Sequence, residues 1–461
     1  MQRRRSRGRL RALLILIALA GLVFVGLGSC RSGPAPAIAL DSKLPGIGKK
    51  TTIEIKIEEP RRGVGDVRVE LVQGERTELL AERKHETLPP WKVWGHAATK
   101  TDAFTVDVGS QVQKGLKEGE ATIRVTASRA GSWLRHPAAE TRELKLPVQL
   151  RPPTLQVMSS KTYVAQGGCE TVVYHVGESS VRDGVEAGAW FFAGYPLPGG
   201  DARARFALFS VPYDLGEPTA VKLVARDAVG NESRVAFIDQ FFAKPFASDT
   251  IKLDDAFLNK VVPEIMGETP DLQDKGNLLD NYLEINGELR RKNNKTLLEL
   301  AEKSEPRFLW NGPFQPMRNA QVMSSFADRR TYVYQGRAVD KQDHLGFDLA
   351  SIRMSEVQAA NSGKVALARY FGIYGNAVVI DHGYGLFSLY AHLSSLGVKE
   401  GESVNKGQVI GRSGQTGLAG GDHLHFSILV HGLAVNPREW WDDHWIRDRL
   451  KLKLGAALPM S

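Results

Sequence analysis

Cysteine is almost missing from this chain. Its 461 residues hold two, Cys30 and Cys169, and no CxxC pair. That excludes a disulfide-stapled scaffold and a thiolate metal site, so any metal must be held by histidine and carboxylate. An HExxH helix is missing too, and with it the glutamate base such a helix supplies. An excess of charge of either sign is lacking beyond the first residues. Arginines 3, 4, 5, 7, 9 and 11 supply six of the net +8, leaving +2 for everything downstream. A nearly neutral body excludes a polyanion binder, so no nucleic acid partner is expected. Apolar residues make up 42% and charged residues 24%, ordinary for globular protein. The length accommodates about two to four domains.

The arginine cluster leads into an apolar run from Leu13 to Gly28, the build of a secretory signal or single anchor. The run ends in Leu27-Gly28-Ser29-Cys30. This resembles the lipobox of bacterial lipoproteins, which is cut before a cysteine whose thiol then carries the lipid. Cys30 is therefore the candidate lipidation site. The run is also near the ~17-residue lower limit for a spanning helix, so an uncleaved anchor is the alternative, with the lipid favoured. Either way the rest of the chain is expected in the periplasm or cell envelope, tethered to a membrane.

The fold class expected is mainly β. Residues 1–29 read as signal or anchor and 30–37 as a Pro-bearing linker. From 38 to 151, runs such as Thr51-Thr52-Ile53-Glu54-Ile55-Lys56-Ile57 alternate apolar and polar, the mark of half-buried strands in a β-sandwich. From 152 to 245 a second, immunoglobulin-like β-sandwich is expected. Its clearest piece is a hairpin, Ala220 to Asp227 and Arg234 to Phe237 around a Gly230-Asn231 turn. Leucines at helical spacing mark 246–313 as a helical linker. Strand signals and glycines resume over 314–440, expected as a C-terminal antiparallel β-sheet domain, and 441–461 is a basic, aromatic tail packed by its tryptophans. His85, His96, His136 and His175 are scattered through the sandwiches and predict no site.

Seven of the eleven histidines fall after residue 340. Four sit in informative contexts: His344 four residues before Asp348, His392 in Tyr390-Ala391-His392-Leu393, and His423-Leu424-His425. A catalytic zinc takes three protein ligands and keeps a fourth position open. In a strand, positions 423 and 425 share a face, as do Ser388, Tyr390 and His392, so three segments offer polar residues to one cleft. Gly346 permits close approach between His344 and Asp348. An HxH pair alone is weak evidence, but the assembled set amounts to zinc ligands with histidines to spare for catalysis. His382, before a turn, is expected to be structural, and His431 and His444 are assigned to the surface.

These motifs, with Gly375-Asn376, Val379-Ile380-Asp381-His382-Gly383, Gly414-x-Thr416-Gly417 and Asn436-Pro437, resemble the lysostaphin/LytM-type zinc endopeptidases. The resemblance covers roughly residues 314–440. It implies that His344, Asp348 and His425 hold Zn2+, and that His392 and His423 are the catalytic pair. It further implies hydrolysis of peptidoglycan peptide cross-links, with a zinc-activated water as nucleophile and histidine acid/base catalysis. Asp422 stands where proline is common and Ser388 where threonine is common; neither departure removes a ligand. Some members have lost their ligands and act as adaptors that activate a separate cell-wall amidase, the alternative reading here. Any cell-wall regulators are not named by the sequence. The run from Val398 also resembles lipoyl-type hammerheads, but their target lysine is lacking.

Overall fold

The computed structural model describes residues 3–30, 35–60, 63–87, 99–129 and 139–459. His96, His136, spacer residues 31–34 and the Cys30 side chain lie outside them. Secondary structure is mainly β, as expected. The apolar N-terminal run forms one helix, α1 (Arg3–Cys30), on which Leu13, Leu14, Ile15, Leu16 and Ile17 are all exposed. Among the described residues no helix is long and apolar enough to cross a membrane.

The chain divides into two compact units, Met1–Pro153 with Arg226–Glu232, and Thr154–Ala225 with Ser233–Ser461. In the first unit, Thr51, Ile53, Ile55 and Ile57 are buried while Glu54, Lys56 and Glu58 are exposed, so the sequence alternation becomes the two faces of a strand. That strand lies in an antiparallel sheet between Ala37–Ser42 and Thr101–Val108. A four-stranded antiparallel sheet runs in the order Arg76–Lys84, Val64–Gln73, Gly119–Arg129, Glu140–Val148. The two sheets share one core, in which Ile53 and Ile55 meet Val67, Val69 and Ile123.

The second unit opens with two sheets, one holding Cys169–Val176 and Ala204–Ser210, the other Ser180–Ala187 and Trp190–Ala193. Three helices follow: α2 (Asp255–Glu268), α3 (Leu278–Glu284) and α4 (Arg290–Ala301). Asp254 caps α2 by accepting the Phe257 N–H, and Asn277 caps α3 by accepting that of Asp280. Leu258, Val261, Val262 and Ile265 recur at helical spacing and are buried, each worth about 1.5–3 kcal/mol. Their partners are Tyr282, Ile285 and Leu289 together with Tyr332 and Ile373. Ser248–Leu253 also pairs in parallel with β1 (Asp328–Tyr334). The stretch read as a linker therefore packs onto the C-terminal sheet. A helical period tells which side chains are buried but not against what.

The C-terminal elements that carry the chemistry are β1, β2 (Arg337–His344), β3 (Phe347–Ala350), β4 (Gly363–Tyr370), β5 (Asn376–Gly383), β6 (Leu386–Leu393) and β7 (Leu424–Val430). β3, β7, β6, β5 and β4 are successive neighbours in one antiparallel sheet. β6 and β7 are buried on both faces. The tail is packed as expected, with Trp440, Ile446, Leu450 and Leu458 buried in the same core and Trp445 against Trp440.

His382 is structural, as expected. It is fully buried, with Nδ1 2.7 Å from the Ser362 carbonyl oxygen and Nε2 2.7 Å from Ser388 Oγ. His431 departs from its surface assignment and lies against Phe192 and Tyr195, with Nε2 buried. An apolar strand preceding a glycine turn gave no sign of those aromatic neighbours. Burial pushes both imidazoles down to about 4 from 6.5. The unfolded chain therefore takes up these protons first as pH falls. Their contribution is intact above pH 6.5 and is lost toward pH 4, by about 3 kcal/mol per histidine. Urea unfolding between pH 7 and 4 should show this slope, and His431→Phe should flatten its share.

Candidate metal centre

The ladder register builds the site. Asp348 of β3 pairs with His425 of β7, which pairs with Ala391 of β6, so His392 stands one residue beyond that row. His344 ends β2, and the Gly346 turn brings it over Asp348. A Cβ on Gly346 would sit 2.6 Å from His425 Nε2 and from Ser427 Oγ, so only glycine allows this approach. His344 Nε2 lies 2.9 Å from Asp348 Oδ1 and 3.0 Å from His425 Nδ1, and His425 Nδ1 lies 3.0 Å from Asp348 Oδ1. Three donor atoms thus face one point.

The ring orientations suit a cation there. His344 Nδ1 is 3.0 Å from the Ser325 carbonyl oxygen, which can only accept, so the proton sits on Nδ1 and Nε2 offers a lone pair. Ser427 Oγ donates to the Leu345 carbonyl at 2.7 Å and so can accept from His425 Nε2 at 3.0 Å, leaving Nδ1 bare. Such outer contacts fix the tautomer of metal-binding histidines. A tetrahedral zinc about 2.0–2.1 Å from each donor would separate donors by about 3.3 Å, slightly wider than observed. Two imidazoles and a carboxylate fit zinc.

Arg330 of β1 donates to the other carboxylate oxygen, Asp348 Oδ2, at 3.0 Å. Burial would raise the Asp348 carboxyl, but its close contacts with the His344, His423 and His425 rings outweigh it and hold it well below its usual range. Burial pushes His425 down to about 4. It also pushes His392 well below its ordinary value, with the charges of His423 and His425 adding to it. For His423 burial acts downward too, yet the Asp348 contact prevails and raises it.

The remaining two histidines flank the cluster. The rings of His392 and His423 are 4.9 Å apart, and His423 Nε2 is 3.6 Å from Asp348 Oδ1. His392 has φ +63°, left-handed backbone that costs a non-glycine residue about 1 kcal/mol or more. That twist takes it out of the β6 alternation. Ser388 and Tyr390, expected to share its cleft face, are instead buried with His382, Ser388 Oγ lying 2.9 Å from the Tyr390 hydroxyl. A bulge between Asn376 and Val378 of β5 lies opposite this departure. His392 Nδ1 is held 2.8 Å from the Thr416 carbonyl oxygen, and His423 Nδ1 2.9 Å from that of Gly421.

Both carbonyls belong to a glycine-rich loop, 414–421, which α2 braces. Lys260 donates to the Ala419 carbonyl at 3.0 Å, and Glu264 accepts the Gly417 N–H at 2.8 Å. Gly417 has φ +71°, and a Cβ there would meet the Gly375 nitrogen at 2.4 Å. Asp422, which stands where proline is common in the resembled family, accepts from the Ser413 hydroxyl at 2.6 Å and the Met354 N–H at 3.1 Å, fixing the approach to His423. Arg330, Lys260 and Glu264 carried no sequence signal. Ser427 did, since it continues the 423–425 alternation.

The peptidase family M23 profile matches residues 342–437, which contain all five residues. The C-terminal region is a peptidase family M23 domain. This M23 domain is of the LytM type. Across 162 residues the chain is 32% identical to peptidoglycan DD-endopeptidase ShyA of Vibrio cholerae, covering 35% of each chain. Across 95 residues it is 39% identical to murein hydrolase activator EnvC of Escherichia coli, covering 21% of this chain and 23% of that one. The chain thus spans about a third or less of these relatives. The catalytic domain of lysostaphin from Staphylococcus simulans is 26% identical, with 31% of this chain and 96% of that domain covered at a TM-score of 0.21.

Proposed function

We propose that the protein is a zinc endopeptidase that hydrolyses peptide cross-links of bacterial peptidoglycan while tethered to a membrane in the cell envelope. The observation that carries this reading is the convergence of His344, Asp348 and His425 within 3.0 Å, each histidine's second nitrogen already occupied. His344, Asp348 and His425 would hold zinc. When bound, zinc would acidify a water and polarise the scissile carbonyl. His392, with Nδ1 tied to Thr416, has Nε2 free to take the nucleophile's proton and deliver it to the leaving amine. His423, with Nδ1 on Gly421, presents Nε2 on the same side to stabilise the developing oxyanion. Exposed apolar residues along α1 and the lipobox-like end at Cys30 support the tether. The name of ShyA supports the hydrolase class.

The similarity to an activator supplies a second reading, a non-catalytic module that switches on a cell-wall amidase. Retention of all five site residues counts against it. Purified peptidoglycan digested with the protein, with and without chelator, separates the two when fragments are read by mass spectrometry. Cross-linked dimers should disappear, and chelator should stop the loss. Wall left intact by protein that takes up no zinc would sink the peptidase reading and favour the activator.

Arg330 gives a subtler check. Arg330→Met removes the cation that orients Asp348, and zinc affinity should fall about 10–100-fold by competition with a chelating dye. Affinity equal to wild type would leave Arg330 without a role at the metal.

A further inference from the structure

The cavity beside the donor atoms measures about 320 Å³, a size suited to part of a small ligand. Leu253, Phe257, Tyr282, Ile373 and Leu418 make it apolar on one side. Its charge is unbalanced. Among the described lining residues three permanent cations, Lys252, Arg290 and Arg330, face a single acid, Asp348. Arg330 is committed to that acid at 3.0 Å.

Arg290 is held differently. Its Nε donates to the Asn286 carbonyl at 3.1 Å and its Nη2 to Asn286 Oδ1 at 2.5 Å, both neutral acceptors. Asn286 is fully buried and anchored in turn on Asp340 Oδ2 at 2.7 Å. The pair sits at a π-turn, Ile285–Leu289, between α3 and α4, an irregularity that often marks functional positions. The guanidinium is thus half-buried and rigidly aimed, yet bonded only to uncharged groups. A partly desolvated cation in this state favours an anion, and a planar guanidinium suits a carboxylate above others. A divalent cation at the donor cluster would strengthen the preference.

We propose that Arg290, with Lys252 at the exposed rim, forms an anion subsite for a free carboxylate next to the scissile amide. The inference rests on the peptidase reading. In a cross-link where D-alanine acylates a diamino diacid, the carbon bearing the scissile nitrogen also carries a carboxylate. Such a group would lie within one residue of the metal, where this cavity lies. The apolar wall would take the adjoining hydrocarbon chain.

The test uses the full zinc-loaded chain and two synthetic branched peptides. In both, D-alanine acylates the D-centre amine of a diamino diacid; the adjoining carboxyl is free in one and carboxamide in the other. Wild type should prefer the free acid about tenfold in kcat/KM, through KM, as one charge-assisted contact would give. Arg290→Gln should bring that ratio near one, and Arg290→Lys should keep part of it. Because the ratio compares two substrates on one protein, a general loss of activity does not mimic the effect. Calorimetric titration of the same peptides should give a matching ratio of dissociation constants. Equal kcat/KM and equal affinity in wild type, or an undiminished ratio in Arg290→Gln, would overturn the subsite. If neither peptide is cleaved, the peptidase reading falls, and the calorimetric ratio alone upholds or overturns the subsite.

Discussion

An Asp348→Asn protein should purify with almost no zinc and digest peptidoglycan at least about a hundredfold more slowly than wild type. Asp348 Oδ1 is the common partner of His344, His425 and, at 3.6 Å, His423, while Oδ2 holds Arg330. Asparagine has nearly the same shape but no charge, and its amide can donate toward atoms that should be offering lone pairs. Two imidazoles then remain beside an unpaired Arg330, a poor site for a dication. Metal analysis of the purified variant gives the first readout, and wall digestion with added zinc the second. Wild-type zinc content in this variant would mean that the ligand set lies elsewhere.

How much of this was legible in the sequence depends on how local each contact is. His344 and Asp348 lie four residues apart around a tight glycine turn, and His423 and His425 flank one residue of a strand start. In both cases spacing alone fixes which side chains can meet. Gly346 was expected to ease the approach of His344 to Asp348, but the room it leaves is taken by His425 and Ser427 of β7, which local spacing could not show. Alternation failed at β6, where Ser388 and Tyr390 were expected beside His392. That strand is buried on both faces, so its second face could hold polar residues only by pairing them internally, as His382 does. His392 reaches the site because its backbone turns left-handed, a single-residue event no pattern records. The helices of 255–301 were recognisable by period, but their partners Tyr332 and Ile373 are non-local. Lys260 and Glu264 went unseen because each contacts a loop more than 150 residues away.

His392→Ala and His423→Ala should separate the catalytic pair from the ligands. Each should retain zinc at close to one ion per chain, because neither ring belongs to the converging triad of donor atoms. Each should nevertheless lose about 10²–10⁴ in turnover, the range for removing a positioned proton-transfer group. The two variants should differ in what rescues them. His392 is fixed by Thr416 with its free nitrogen toward the cleft, so added imidazole should restore part of the His392→Ala rate. Its removal also relieves the left-handed strain at φ +63° only if glycine follows, so His392→Gly should be the more stable of the two truncations. His423 makes its second contact with Asp348, so its loss should also loosen the carboxylate and weaken zinc binding several-fold without emptying the site. Zinc lost from His392→Ala as completely as from Asp348→Asn would merge the two roles and make His392 a ligand. Rates near wild type in both alanine variants would remove histidine acid/base chemistry from this site altogether.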